Sequence, residues 1–422
     1  MNKVLIVTYY WPPSGGAGVQ RWLKFAKYLP EFGWEPIILT VDPHYAAYPV
    51  IDNSLNEELP PDLRVYTTRA TDYFTVYKKD KSKIPSAGFA KSVDNTFKGK
   101  LLRFIRGNFF IPDPRKGWNK YAFRKASALI ETSDIKHVIT TSPPHSTQLI
   151  GLKIKKKYPE IQWIADLRDP WTDIYYYKQF YPTYFSKWID ANYEKKVLIN
   201  SDKIITVGTS LKNIFFSKQK GIESKIEVIT NGYDDHDFKG IESTNPPKLT
   251  LTYVGTLSDI YPVDGLVAAL KKMKQEGMDF ALRFVGSVSE KTRQLILTDI
   301  PDTEVEFIPY VIHSEAVKYM FSSTILLLII PSHQSNKSIL TGKLFEYLAT
   351  GKPVLCLGPT DGDAASIIKH IAAGSVFNYY DSDAMYQFLI QPSGKIIQPP
   401  GPGKLMYSRK ELTRQLSMIL NS

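Results

Sequence analysis

One cysteine in 422 residues, Cys356, excludes a disulfide within the chain. Set in the apolar run Val-Leu-Cys-Leu at 354–357, it reads as a buried thiol suited to a reducing compartment. No apolar run approaches the roughly 18 to 20 residues that cross a bilayer; the most apolar stretch, 325–330, is cut off by Pro331. The start, Met1 to Thr8, lacks the longer apolar segment and small-residue cleavage site of a signal peptide and reads as a first strand. No pair of histidines has metal-ligand spacing, and neither a nucleophile elbow nor a P-loop occurs. The dinucleotide fingerprint G-x-G-x-x-G fails as well: Gly16-Ala17-Gly18-Val19-Gln20 is followed by Arg21 where the third glycine would stand, which argues against hydride transfer.

What is present suits a globular enzyme. Apolar residues make up 43% and charged residues 23%, far from the composition of a disordered chain. Domains hold on the order of 100 to 200 residues, so this length predicts two. The formal charge is +11 and unevenly spread: residues 74–125 hold fourteen Lys or Arg against Asp80, Asp94 and Asp113, a surplus equal to that of the whole chain. Such a surface favours an anionic membrane, a nucleic acid or a polyanion. Within it, residues 97–111 interleave apolar groups with cations, the pattern of an interfacial membrane helix or of a basic surface helix. No DNA or RNA module accompanies it, so no nucleic-acid partner is expected.

Strands and amphipathic helices alternate along both halves. Apolar runs at 4–8, 37–41, 138–141, 163–165, 204–207 and 226–229 predict strands, with helices between most of them. A breaker at 240–247 precedes a second series at 249–254, 281–285, 305–308, 325–330 and 354–357. The alternation predicts α/β architecture with two Rossmann-like, doubly wound parallel sheets. The expected domains are residues 1–235, carrying a basic insertion at about 72–120, and residues 236–403. Leu405, Leu412, Leu416 and Ile419 then predict a last amphipathic helix within 404–422, packing back on the first domain.

Three clusters carry chemistry. The loop from Ser14 to Gly18 joins strand to helix, where exposed N–H groups and the helix dipole attract anions. Thr341 and Gly342 start a short helix with free backbone donors, Lys343 adds a cation, and Glu346 follows one turn on; a diphosphate suits the first group and a ribose the carboxylate, unless Lys343 and Glu346 are a plain surface pair. Asp166-Leu167-Arg168-Asp169 ends a parallel strand, where ligand crevices open. Asp169 or Asp166 there suits a substrate hydroxyl and Arg168 a phosphate, or the three form an internal ion network. His145 follows another strand end and either touches a substrate or serves the structure.

The chain resembles glycosyltransferase family 4, retaining enzymes of GT-B architecture. The likeness rests on Ser14 to Gly18, on Asn231-Gly232-Tyr233-Asp234, on Tyr253-Val254-Gly255-Thr256, and above all on Gly342-Lys343-Leu344-Phe345-Glu346 with Gly351-Lys352-Pro353. Two domains facing a central cleft are implied, with no metal and no further cofactor. The resemblance places a nucleoside-diphosphate sugar against Glu346 at the ribose and Lys343 with Gly255 and Thr256 at the diphosphate. Thr341, Gly342, Leu344 and Asn231 join this donor side, and Gly16 and Gly18 approach from the other domain. Catalytic candidates are Asp169, Asp166, Arg168, His145 and Lys343. Ser338 stands where many relatives carry a glutamate and Asp264-Gly265 where Lys-Gly is frequent, which leaves Lys343 as the main cation for the leaving diphosphate. The implied acceptor is lipid-linked or a growing polysaccharide, at the cytoplasmic membrane face. A nucleotide-sugar epimerase and a non-catalytic sugar-nucleotide or polyanion binder are the rival readings.

Overall fold

The computed structural model describes residues 1–71, 73, 96–244, 246–391 and 402–422. The chain divides into two compact units, Met1–Thr230 with Arg409–Ser422, and Asn231–Ser408.

The first unit is a sheet of seven parallel strands: β1 (Asn2–Val7), β2 (Trp34–Val41), β3 (Arg64–Thr68), β4 (His137–Ser142), β5 (Gln162–Leu167), β6 (Lys203–Thr206) and β7 (Ile226–Val228), ordered β3-β2-β1-β4-β5-β6-β7. Its helices are α1 (Ala17–Tyr28), α2 (Phe97–Phe109), α3 (Asn119–Ser133), α4 (Gln148–Lys157), α5 (Tyr184–Asn200) and α6 (Thr209–Lys218). A parallel strand covered on both faces must be apolar on both, which is why the strands read as continuous runs rather than alternations. In β1, Val4 and Ile6 pack with Trp22 and Leu23 of α1, while Leu5 and Val7 pack with Ala122, Ala126 and Ile150 on the opposite face.

The second unit repeats the plan with β8 (Leu249–Val254), β9 (Phe280–Val285), β10 (Val305–Ile308), β11 (Ile325–Ile329), β12 (Val354–Leu357) and β13 (Gly374–Phe377), ordered β10-β9-β8-β11-β12-β13. Helices α7 (Asp264–Gln275), α8 (Glu290–Asp299), α9 (His313–Phe321), α10 (Gly342–Thr350), α11 (Asp363–His370) and α12 (Ser382–Leu389) cover it. Cys356 is buried in this core, which pushes its thiol up to about 12. The final helix, α13 (Arg409–Leu420), belongs to the first unit: Leu412, Leu416 and Leu420 join the cluster around Trp22.

Both units are thus Rossmann-like, and strand order reverses beside the first strand of each, between β1 and β4 and between β8 and β11. Crevices outside the carboxyl ends of such strand pairs are where ligands bind in this architecture. Two edge strands were invisible to the apolar-run criterion. β3 alternates half-buried and exposed residues, and β13 is short, half-buried and opens on Gly374 (φ 152), which packs directly over the backbone of Val354. Of the basic segment, Phe97–Phe109 forms α2, capped by Thr96, whose Oγ1 accepts from Gly99 N at 3.1 Å. Lys78, Lys79, Lys81, Lys83 and Lys91 lie outside the described residues. Among the described residues no helix is long and apolar enough to cross a membrane.

Candidate functional site

In the second unit the site forms where β8 ends and α10 begins. Gly255, at φ 119, makes the turn after β8; a Cβ there would stand 2.8 Å from Lys343 Nζ, so glycine is what allows the lysine to lie along the turn. Lys343 Nζ donates to Tyr253 Oη at 2.7 Å, and that hydroxyl donates to Thr256 O at 2.8 Å. The ammonium also lies 4.2 Å from the Tyr253 ring centroid. Burial pushes the Lys343 pKa down to about 8, partly opposed by the charge of Glu346. Thr341 stands at the N-cap of α10 but caps nothing: its Oγ1 is buried without a hydrogen-bond partner, and Gly342 has open space where a Cβ would be. The helix start therefore keeps polar groups for an anion. One turn on, Glu346 Oε1 lies 3.3 Å from His313 Nε2, at the start of α9.

Three other residues of the expected donor set fall differently. Thr256 is exposed on the turn. Asn231 opens the unit with Oδ1 buried and unpartnered. Leu344 is fully buried in the core with Phe345 and Leu348, so its side chain faces no ligand. Ser338 Oγ donates to Ser335 O at 3.2 Å, closing its own loop.

In the first unit the ends of β1, β4 and β5 carry the second constellation. Gly16 (φ 108) precedes α1, and Gly18 in its first turn admits the Arg168 guanidinium, which a Cβ would meet. Arg168 is tethered through Nε to Ser142 O at 3.0 Å. Asp166 is fully buried and fully engaged: Oδ1 pairs with Arg21 Nη2 at 3.2 Å, while Oδ2 accepts from Trp22 Nε1 at 2.9 Å and Thr141 Oγ1 at 2.7 Å. Arg21 in turn donates to Thr230 O at 2.7 Å and Ile229 O at 2.9 Å. Asp166 thus clamps α1, β4 and β5 together and offers no oxygen to a substrate. Asp169 is different: it is half-buried, and burial raises its pKa while Arg168 opposes the rise. His145 stacks on Trp171 at 4.8 Å between centroids, tilted by 13°. Burial first, then Lys218 and Arg168, push its pKa down to about 3, so it is neutral at physiological pH; both ring nitrogens are buried without partners.

No curated protein matches the chain. Residues 248–391 match the family model of glycosyl transferases group 1. Among solved structures, sucrose-phosphate synthase from Thermosynechococcus elongatus is 13% identical with a TM-score of 0.64, over 100% of this chain and 98% of that one. A Rickettsia africae glycosyltransferase is 16% identical at 0.61, over 100% and 98%. The Anabaena HepE protein, in complex with UDP and glucose, is 12% identical at 0.60, over 100% of both chains. At such identities the likeness shows the fold. With the family match, these findings support a glycosyltransferase.

Two features of this geometry left no motif in the sequence. His313 meets Glu346 from another helix, and a lone histidine carries no local signal. On α5, Asp190 accepts from Trp171 Nε1 at 2.7 Å and Tyr177 Oη at 3.0 Å, fixing the ring on which His145 stacks. The readable signal was Asp190 and Glu194 four residues apart on the face that buries Val197, since buried carboxylates need partners. Among the described residues no cluster of three or more His, Cys, Asp or Glu has the arrangement of a metal site.

Proposed function

We propose that the chain transfers a sugar, with retention, from a nucleoside-diphosphate sugar to a lipid-linked or polysaccharide acceptor in cell-surface glycan synthesis. The reading places it at the inner face of the cytoplasmic membrane and needs no metal. One observation carries it: a half-buried lysine, an uncapped helix start and a carboxylate one turn on stand together in the segment that matches group 1 glycosyl transferases. The UDP and glucose named for the Anabaena protein support the donor class. Charge grows on the departing diphosphate as the glycosidic bond breaks, and in this reading Lys343 with the Thr341–Gly342 N–H groups takes it up. Asp169 and neutral His145 serve the acceptor side, with Arg168 beside them, and Asp166 acts by positioning.

The test is a thermal-shift panel of nucleoside-diphosphate sugars on the full chain. A ligand at 100 times its Kd adds about 2.7 kcal/mol, enough to resolve. At least one donor is expected to raise Tm, and labelled sugar should pass to membrane lipid extract. A panel in which no donor shifts Tm overturns the reading, and conversion of donor without any acceptor assigns an epimerase instead.

A further inference from the structure

Outside the candidate site, the first unit exposes a run of aromatic rings that its core does not use. Tyr184, Phe185 and Trp188, in the first turns of α5, are 87%, 66% and 57% exposed, and Phe185 and Trp188 stack on each other at 6.1 Å. Beside them α2 exposes Phe97, Leu101 and Phe109. The two helices are fastened together: Asn108 Oδ1 accepts from Thr183 N at 2.7 Å and from Ser186 Oγ at 2.8 Å, and Nδ2 donates to Tyr181 O at 3.1 Å. Gly107 brings α2 against Phe180, and Arg106 lies 3.9 Å from the ring of that phenylalanine. Exposed apolar groups gathered on two joined helices mark an interaction surface rather than an ordinary solvated face.

The charge around the rings selects the partner. Residues 96–116 and 178–188 contain Lys98, Lys100, Arg103, Arg106, Lys116, Lys178 and Lys187, besides the buried Arg115. Their single carboxylate, Asp113, is buried and bonded to Ser146 N and Oγ, both at 2.8 Å. Rings flanked by cations, with no exposed carboxylate in these segments, complement the headgroup layer of an anionic bilayer, where tyrosine and tryptophan settle with apolar body inward and polar edge outward.

We propose that the start of α5 forms one bilayer-facing surface with α2, in which Tyr184, Phe185 and Trp188 enter the interfacial layer of an anionic membrane. This rests on the membrane-face reading above and extends it to a second helix. It also joins the membrane to the acceptor side. The same helix runs on to Asp190 and Glu194, which hold Trp171 and Thr172 of the loop after β5, so a lipid-linked acceptor would meet the site beside the helix that touches its membrane.

Trp188 makes the test direct, because the six other tryptophans are buried. Full-length protein is mixed with vesicles of equal parts phosphatidylcholine and phosphatidylglycerol, with and without brominated acyl chains. Tryptophan emission is expected to shift to the blue and to be quenched by the brominated lipid, and Trp188→Phe should lose both signals while still sedimenting with vesicles. Tyr184→Ser, Phe185→Ser and Trp188→Ser together should cut co-sedimentation by roughly tenfold or more, as should Gln at Lys98, Lys100, Arg103 and Arg106 in a salt-sensitive way. If the parent sediments with vesicles but its emission does not change and the triple variant binds equally, the α5 surface is refuted while the basic α2 contact stands. If the parent binds no vesicles at low salt, the membrane reading falls and this inference with it. Self-association of the parent without lipid, lost in the triple variant, would assign the surface to a second copy instead.

Discussion

Glu346 sits one turn into α10 with Oε1 3.3 Å from His313 and its side chain 23% exposed, open enough to meet a ligand. A carboxylate accepting ribose hydroxyls makes charge-assisted hydrogen bonds of about 1.5 to 3 kcal/mol. Glu346→Gln should therefore weaken binding of the best donor in the panel by more than tenfold at unchanged Tm without ligand; unchanged affinity by calorimetry would remove Glu346 from the site. Lys343 gives a second prediction, in pH. Its pKa is pushed down from 10.5 to about 8, so protonation costs the folded chain stability below that value. The unliganded chain should gain stability from this group as pH rises through 8 toward 10.5. A diphosphate favours the ammonium and reverses the preference, so donor binding should take up a proton and weaken as pH climbs past about 8. Calorimetry in buffers of different ionisation enthalpy reads the uptake directly, and Lys343→Met should abolish it; proton release, or none in the parent, contradicts the lysine's contact with the diphosphate. These two residues were legible because three sites share one helix start, whereas His313 comes from a different helix and leaves no trace in spacing.

At the scale of elements, α5 shows why the cluster at the ends of β4 and β5 was only half readable. The cluster at 166–169 follows a strand, but whether its carboxylates face solvent or a clamp depends on Arg21 and Trp22, some 145 residues earlier, which close on Asp166 from α1. Edge strands β3 and β13 escaped for a related reason: an edge buries less and needs no apolar run. Asp190 offers a test of the helix's hold on the site loop. Burial lifts its carboxyl from 3.8 to about 6, so the group stabilises the fold below pH 4 and that contribution is lost as pH rises through 6. Asp190→Asn keeps both bonds if the Tyr177 hydroxyl turns from donor to acceptor, and it removes the ionisation. The variant should gain on the parent between pH 4 and 7, by up to about 3 kcal/mol from the size of the shift, read as a difference in urea midpoints. A parent and variant with parallel pH dependence would show that Asp190 ionises without cost, and that it does not carry a buried charge beneath Trp171.

For the whole molecule, the chain leaves the first unit after Thr230 and returns to it at Arg409, so its last helix completes a core begun more than 400 residues earlier. The apolar spacing of Leu412, Leu416 and Ile419 made that helix legible, and its burial follows: Leu416 is fully buried against the cluster of Trp22 and Leu23, with Ile419 at the rim. Leu405 lies in the preceding short helix instead and is 57% exposed, because the amphipathic stripe starts only at Arg409. If each unit has its own core, damage to one should spare the other. Leu416→Ala removes three buried carbons, Cγ and its two methyl groups, from a site that α1 and α13 share and should cost about 2 to 5 kcal/mol. In a unit of this size that corresponds to roughly 5 to 15 °C in the midpoint of the first unit's transition. Calorimetry of the full chain should show that transition fall while the transition of Asn231–Ser408, and its upward shift with donor, stay in place. Equal displacement of both transitions would mean that the two cores melt as one, and that the last helix stabilises the second unit as much as the first.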